Sequence, residues 1–501
     1  MNKSFVALRP FLVLLMTAVL LASGCSMIPA YERPAAPIAV TYPGHAGSVD
    51  KADAANALAR QSASTIAWQT FFADTRLQGL IELALINNRD LRVAVLNIDQ
   101  ARAQYQIRRA DQFPTINGVL SGSRTPSASG GVTSLYSAGL QATAYELDFF
   151  GRVSSLKEAA LNQYLATEES RKTAQIILIA SVANAYLSLL ADDELLEITR
   201  QTLATREDSI RLSKLRFDNG VASELDFRQA ESLVEAARVS LAQQQRQRAL
   251  DENLLTLLVG SPLAAELQTA ASTALASASS MAPLPQMQLL VDVPAGLPSD
   301  LLSSRPDIRQ AERQLLAANA NIGAARAAFF PRIALTAAAG SASSQLSGLF
   351  KSGSWGLTLA PSLTLPIFDA GRNQANLQVS RIARDIAVAQ YEKALQNAFR
   401  EVADALASRT TLAEQLRASQ AQANAESIRF RLSDLRYQNG VTSYLDLLDA
   451  QRSLFAARQA VVQIRLAQLQ SQIGLYRALG GGWTEPGDVG VFLSGAPATR
   501  P

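Results

Sequence analysis

The chain has 501 residues, 18% of them charged, and a formal net charge of only +3. With acids and bases so nearly balanced, no basic patch argues for a nucleic-acid partner. One cysteine and one histidine exclude an internal disulfide and a Cys/His metal set. No Walker-type loop or G-x-S-x-G elbow occurs, so neither catalysis nor a cofactor nor a metal is expected.

In chain order, Lys3 and Arg9 precede an apolar run, Phe11 to Ala22, and then Ala22-Ser23-Gly24-Cys25. A charged start, a short greasy core and small residues describe a secretory signal, here 1–24, too short to span a bilayer. The stretch around Cys25 resembles a bacterial lipobox, which implies that Cys25 becomes the acylated, palmitate-bearing first residue of the mature chain. Ser26 after it resembles lipoproteins sent on to the outer membrane, whose lipid acyl chains would then tether the protein. An extended N-terminal segment, 25–75, follows; it holds the one histidine, His45, in a Pro/Gly-rich leader. No other stretch reaches the ~20 apolar residues of a membrane helix, so any further crossing falls to strands.

The rest of the chain reads as two copies of one plan, 76–261 and 300–483, separated by a linker, 262–299, and followed by a tail, 484–501. The run Arg211-Leu212-Ser213-Lys214-Leu215-Arg216-Phe217-Asp218-Asn219-Gly220-Val221-Ala222-Ser223-Glu224-Leu225-Asp226 recurs as Arg431-Leu432-Ser433-Asp434-Leu435-Arg436-Tyr437-Gln438-Asn439-Gly440-Val441-Thr442-Ser443-Tyr444-Leu445-Asp446. Eleven of the sixteen positions are identical, which marks a duplication of the whole unit.

Each copy opens with a helical segment, Leu77–Gln112 or Asp300–Phe329. The period then changes from 3.6 to 2. Tyr136, Ala138, Leu140, Ala142 and Ala144 alternate with small or polar residues, as do Leu357, Leu359, Pro361, Leu363, Leu365 and Ile367. Thr115–Thr125 and Arg332–Ser343 are the expected hairpin partners. One apolar and one polar face suit a membrane strand over a wet lumen. Four strands leave open edges, which lipid does not tolerate, so several chains must pool them, as eight or as twelve.

From Arg152 to Asn219, and again from Arg372 to Asn439, 68 residues pass without glycine or proline. Each run predicts a helix of about 100 Å. Asn219-Gly220 and Asn439-Gly440 supply the positive φ that turns the chain back. Ser223 with Asp226, and Ser443 with Asp446, carry the capping-box spacing for the return helices. These are expected to stop near Gly260 and Gly474.

On these residues, together with Trp68-Gln69-Thr70-Phe71-Phe72, Glu146-Leu147-Asp148-Phe149-Phe150-Gly151, Leu297-Pro298-Ser299-Asp300 and Arg305-Pro306-Asp307-Ile308, the mature chain resembles the TolC-like outer-membrane factors of multidrug efflux systems, OprM-type lipoproteins above all. The resemblance implies a mainly α fold with membrane β: a homotrimer with a twelve-stranded outer-membrane β-barrel continued by a twelve-helix periplasmic α-barrel. It implies a passive conduit for antibiotics and other small toxic compounds, fed by an inner-membrane efflux pump. It also implies that a periplasmic adaptor, or membrane fusion, protein meets the hairpin tips at Arg211, Leu212, Ser213, Gly220, Val221, Ala222, Arg431, Leu432, Ser433, Gly440, Val441 and Thr442. The gate falls on Leu445, Asp446 and Asp449, with Asp226 and Tyr437 near the contacts that hold it shut. Asp446 also fits a helix cap; for Asp449 no local role is evident. A duct for protein or metal-ion export shares the fold, and a non-conducting coiled-coil lipoprotein is the reading from another class.

Overall fold

In a computed structural model of the chain, residues 26–39, 41–42, 66–126, 131–262 and 304–483 are described. Cys25, most of the linker and the tail lie outside them. Among the described residues the helices are α1 (Trp68–Phe71), α2 (Thr75–Asn87), α3 (Arg89–Ala110), α4 (Arg152–Asp218), α5 (Glu224–Val259), α6 (Pro306–Ala327), α7 (Arg372–Gln438) and α8 (Tyr444–Ala478). The strands β1 (Ile116–Pro126) and β2 (Val132–Leu147) lie between α3 and α4, and β3 (Arg332–Ser343) and β4 (Trp355–Thr364) between α6 and α7. The chain divides into two compact units, Met1–Ala36, Leu96–Glu169 and Arg309–Ala394 in one, Pro37–Val95, Ser170–Ile308 and Leu395–Pro501 in the other.

The first unit carries one antiparallel sheet in the order β1-β2-β3-β4, so β1 and β4 keep unpaired outer edges. Leu120 opposes Ala138, and Ala337 opposes Leu359. Between them Leu140 opposes Ala339. These pairs lie on one apolar face, and Leu120, Leu140, Leu357 and Leu359 are all well exposed. The alternation expected through Ala144 fails there, because one extra residue enters β2 between Ala142 and Tyr145. Ala144 takes a φ of 50° and its N–H turns to Thr336 Oγ1, 3.1 Å away. This bulge passes the apolar face from the even residues to Tyr145 and Leu147. β4 also stops at Thr364, before Leu365 and Ile367.

Where the sheet gives way to helix, both copies use an aspartate. Asp148 accepts from the N–H groups of Val153 and Ser154, and Asp369 from those of Gly371 and Asn373. Each satisfies donors that the first turn leaves open. Glu146 takes a bidentate bond from Arg152 and an ion pair from Arg332. The segment just after Cys25 lies along α6: Arg33 and Tyr31 hold Glu312, and Asn319 donates to the Pro29 carbonyl.

In the second unit the buried faces of α4 (Ile179, Val182, Leu187) and α8 (Val462, Ile473, Tyr476) supply much of the core. Phe71 stacks on Tyr476 at 3.7 Å, and the Tyr476 hydroxyl donates to the Ile66 carbonyl. α4 does contain a stretch apolar enough to cross a bilayer, contrary to expectation, but most of it is buried inside the protein. The segment Leu77–Gln112 is two helices, not one. Asn88 separates them, accepting from Leu91 N–H and donating to the Leu258 carbonyl. α5 ends at Gly260 as expected, with a φ of 73°. α8 instead runs through Gly474 to Ala478. The positive φ that ends it belongs to Gly480, at 81°.

Candidate functional site at the hairpin ends

The two long helices turn back through the same motif. Gly220 N–H donates to the Phe217 carbonyl and Val221 N–H to that of Arg216; Gly440 and Val441 do the same to Tyr437 and Arg436. This is the paired bonding of a Schellman end, which needs a left-handed residue, and the two glycines have φ of 72° and 74°. Asn219 and Asn439 each add a side-chain bond, to Leu215 and Leu435. The turns therefore present Gly220, Val221, Gly440 and Val441 outward; the two valines are 76% and 65% exposed.

The return helices start differently. At α5 the capping box is complete, with Ser223 accepting from Asp226 N–H and Asp226 accepting in return. At α8, Ser443 accepts from Asp446 N–H, while Asp446 Oδ2 takes the hydroxyls of Thr442 and Ser443. Those hydroxyls hold the Asp446 carboxyl below the usual carboxylate range. Within the chain Asp446 is thus a cap.

Leu445, Asp446 and Asp449 share an exposed face of α8, whereas Tyr444, Leu447, Leu448 and Gln451 are buried. Asp449 has a local partner that sequence reasoning missed. It forms an ion pair with Arg429 of α7, which also binds Glu426 at 3.2 Å. Any charge this face presents is therefore partly compensated.

Between the hairpins, Ala230 and Leu233 of α5 pack with Tyr444, Leu447 and Leu448 of α8, flanked by Ile210, Phe430 and Tyr437. Tyr437 lies against Tyr444, with ring centroids 5.2 Å apart. The Arg216 guanidinium of α4 sits 4.6 Å from the Tyr437 ring centroid, a cation–π contact that joins the first hairpin to the second. Burial, with Tyr437 and Asp226 nearby, pushes the Tyr444 phenol up to about 12. Arg216 and Tyr444 were not foreseen, although both lie inside the repeated motif.

The remaining expected contact residues divide by exposure. Arg211, Leu212, Arg431 and Leu432 are exposed, and Ala222, Thr442 and Ser433 are half-buried. Ser213 is 2% exposed. It faces the helical packing, so its side chain is not offered to a partner: helix register, not the motif, decides which residue points outward.

The outer membrane efflux protein family model matches residues 80–261 and 297–481. The chain is 48% identical to the probable efflux pump outer membrane protein TtgC of Pseudomonas putida over 484 residues, 95% of this chain and 96% of the relative. Among solved structures, a membrane protein from Pseudomonas aeruginosa is 44% identical with a TM-score of 0.81, over 91% of this chain and 100% of that one. The open state of the Neisseria gonorrhoeae MtrE outer membrane channel is 41% identical with a TM-score of 0.79, over 92% of this chain and 99% of that one. A match over both repeats, with the same fold along nine-tenths of the length, leaves one assignment: the chain belongs to the outer membrane efflux protein family.

Proposed function

We propose that three copies of this chain assemble into the outer-membrane exit duct of a tripartite efflux pump, carrying antibiotics and other small toxic compounds outward without chemistry of its own. The observation that carries this reading is a four-stranded sheet with both edges unpaired and an exposed apolar face, in a chain that also builds two long helical hairpins. An open sheet cannot stand in hydrocarbon, and pooling strands from several chains removes the edges. Three chains give the twelve strands of a barrel with an open bore.

In this reading the exposed hairpin ends, with Arg211, Leu212, Arg431 and Leu432, meet the adaptor protein, and the inner-membrane pump supplies the energy. The exposed face of Leu445, Asp446 and Asp449 lines the narrow end of the passage. Opening moves the second hairpin away from the first at the Arg216–Tyr437 contact, and the open state named for MtrE supports a channel of this kind that opens. Acylation at Cys25 adds a second hold on the outer membrane beside the strands.

The test is reconstitution of the purified full chain into planar bilayers, with crosslinking to count chains and a deletion strain challenged with antibiotics, solvents and dyes. Stepwise conductance, a trimeric crosslink ladder and drug sensitivity of the deletion strain are expected. A chain that leaves bilayers silent in every condition is a spacer, not a duct.

A further inference from the structure

Above the hairpin ends, α4, α7 and α8 line a half-open cavity of about 570 Å³. Its lining combines cationic, hydrogen-bonding and apolar side chains: Arg206, Arg431, Arg458, Gln451, Phe455 and Leu454. That size and that mixture fit a small organic molecule.

Arg206 is the unusual member. It is 5% exposed, yet among the described residues no carboxylate pairs with it. Its Nη1 donates to the Leu233 carbonyl at 3.0 Å and its guanidinium lies 5.3 Å from the Phe455 ring centroid. Its Nε has no partner. Burial, and then the like charge of Arg452, lower its pKa. A buried cation without an anion is costly, and the usual remedy is a counter-ion. Arg431 and Arg458 add positive charge to the same lining instead of relieving it.

Gln451 is a second unfinished group. It is 7% exposed; Nε2 donates to Ser209 Oγ at 3.2 Å, while Oε1 has no partner. A half-turn of the amide gives the cavity an NH₂ donor; the oxygen then takes the Ser209 hydroxyl, which exchanges its bond to the Thr205 carbonyl (3.0 Å) for this one. Phe455, Leu454 and Ile428 supply an apolar wall beside these donors.

We propose that this cavity binds an amphipathic organic anion, its carboxylate or sulfonate held by Arg206 and Gln451 and its apolar body laid against Phe455 and Leu454. Asp449 and Arg458 are nine residues apart on α8, which puts them on opposite faces of the helix. The cavity therefore lies against the face of α8 opposite Leu445 and Asp449, and on the proposed reading of that face as the passage lining the bound anion is a ligand of the wall and not cargo. It ties α4 of the first hairpin to α7 and α8 of the second. Binding itself stands apart from the conduit reading, since it needs no conductance, adaptor or pump.

The experiment uses the full chain, assembled and purified in a nonionic detergent, titrated calorimetrically with naphthoate and with its neutral analogue naphthamide. Saturable naphthoate binding is expected, with no detectable naphthamide binding. Arg206→Gln should weaken it by about tenfold or more, the loss of one charge-assisted hydrogen bond. Without ligand that variant should melt no lower than the parent, because an uncompensated buried charge has gone. Should it fail to assemble, Arg458→Gln, half-buried in the lining, is expected to weaken naphthoate binding severalfold. Absent naphthoate binding, equal binding of the two compounds, or parental affinity in the assembled Arg206 variant would overturn the proposal. If that variant does not assemble, parental affinity in the Arg458 variant overturns it.

Discussion

Arg216→Gln should make the channel open more readily, and the structure sets how much. The guanidinium lies 4.6 Å from the Tyr437 ring centroid and among the described residues no carboxylate pairs with it, so the cation–π contact is its main tie to the second hairpin. Such contacts contribute roughly 0.5–1 kcal/mol when exposed and about 2 kcal/mol when desolvated. Both groups are half-buried, which places each contact near ~1 kcal/mol. If three chains open together, removing three contacts totals ~3 kcal/mol, or on the order of a hundredfold in the opening equilibrium. Glutamine keeps the backbone carbonyl that caps the turn and most of the aliphatic packing. The assay is open probability in planar bilayers, with Tyr437→Leu and the double variant completing a thermodynamic cycle. A change below about threefold, or full additivity of the two substitutions, would refute the latch.

Gly440→Pro should abolish efflux while trimers still crosslink, because proline removes the N–H bonded to Tyr437 and cannot adopt a φ of 74°; resistance profiles and a crosslinking gel check both halves. Asp449→Ala removes a carboxylate but leaves Arg429 on Glu426, so reversal potentials should show weaker cation selectivity and weaker block by divalent cations. Asp192 is 6% exposed and its pKa is raised to about 7, by burial first and then by the hydrogen bond and charge of Asp251, with Asp193 adding and Arg248 opposing. The folded chain therefore holds a proton that the unfolded chain releases near pH 4, so this pair destabilises progressively between about pH 4 and 7. Asp192→Asn should raise the melting temperature at pH 7.5 and change it little at pH 4; a parallel shift at both values would reject the titration.

The large architecture was legible because it rests on chain-wide constraints. A run without glycine or proline ends where Asn219-Gly220 or Asn439-Gly440 can turn the backbone, and the helices stop one residue earlier, at Asp218 and Gln438. The strands were legible from their period, until one inserted residue near Ala144 reversed it. A bulge is invisible to a rule that counts by two. Gly474 shows the opposite error. Glycine inside a helix lowers stability by about 1 kcal/mol relative to alanine but does not end it. At α8 termination falls instead to a left-handed residue that satisfies an open carbonyl, Gly480, whose N–H bonds to Arg477.

The site was legible only where its interactions are local in sequence. The cap at Ser223 spans three residues and could be read directly. Arg429 and Asp449 are twenty residues apart and meet only because α7 and α8 run back to back from the turn. Counting outward from the turn would have placed them at similar heights, but not on facing sides. The same reasoning explains Ser213 and Arg206, which lie on one helix seven residues apart. Seven residues bring a helix close to two full turns, so both point inward, and both are buried. One was read as a contact residue from its motif, and the other was overlooked because a lone arginine in a helix normally points to water. The phase of α4, once fixed by the buried Leu195, Leu196 and Thr199, settles both. Helix phase also leaves Arg211, Leu212, Arg431 and Leu432 facing outward beside the exposed turn residues Val221 and Val441, and these are the side chains the proposed docking would use.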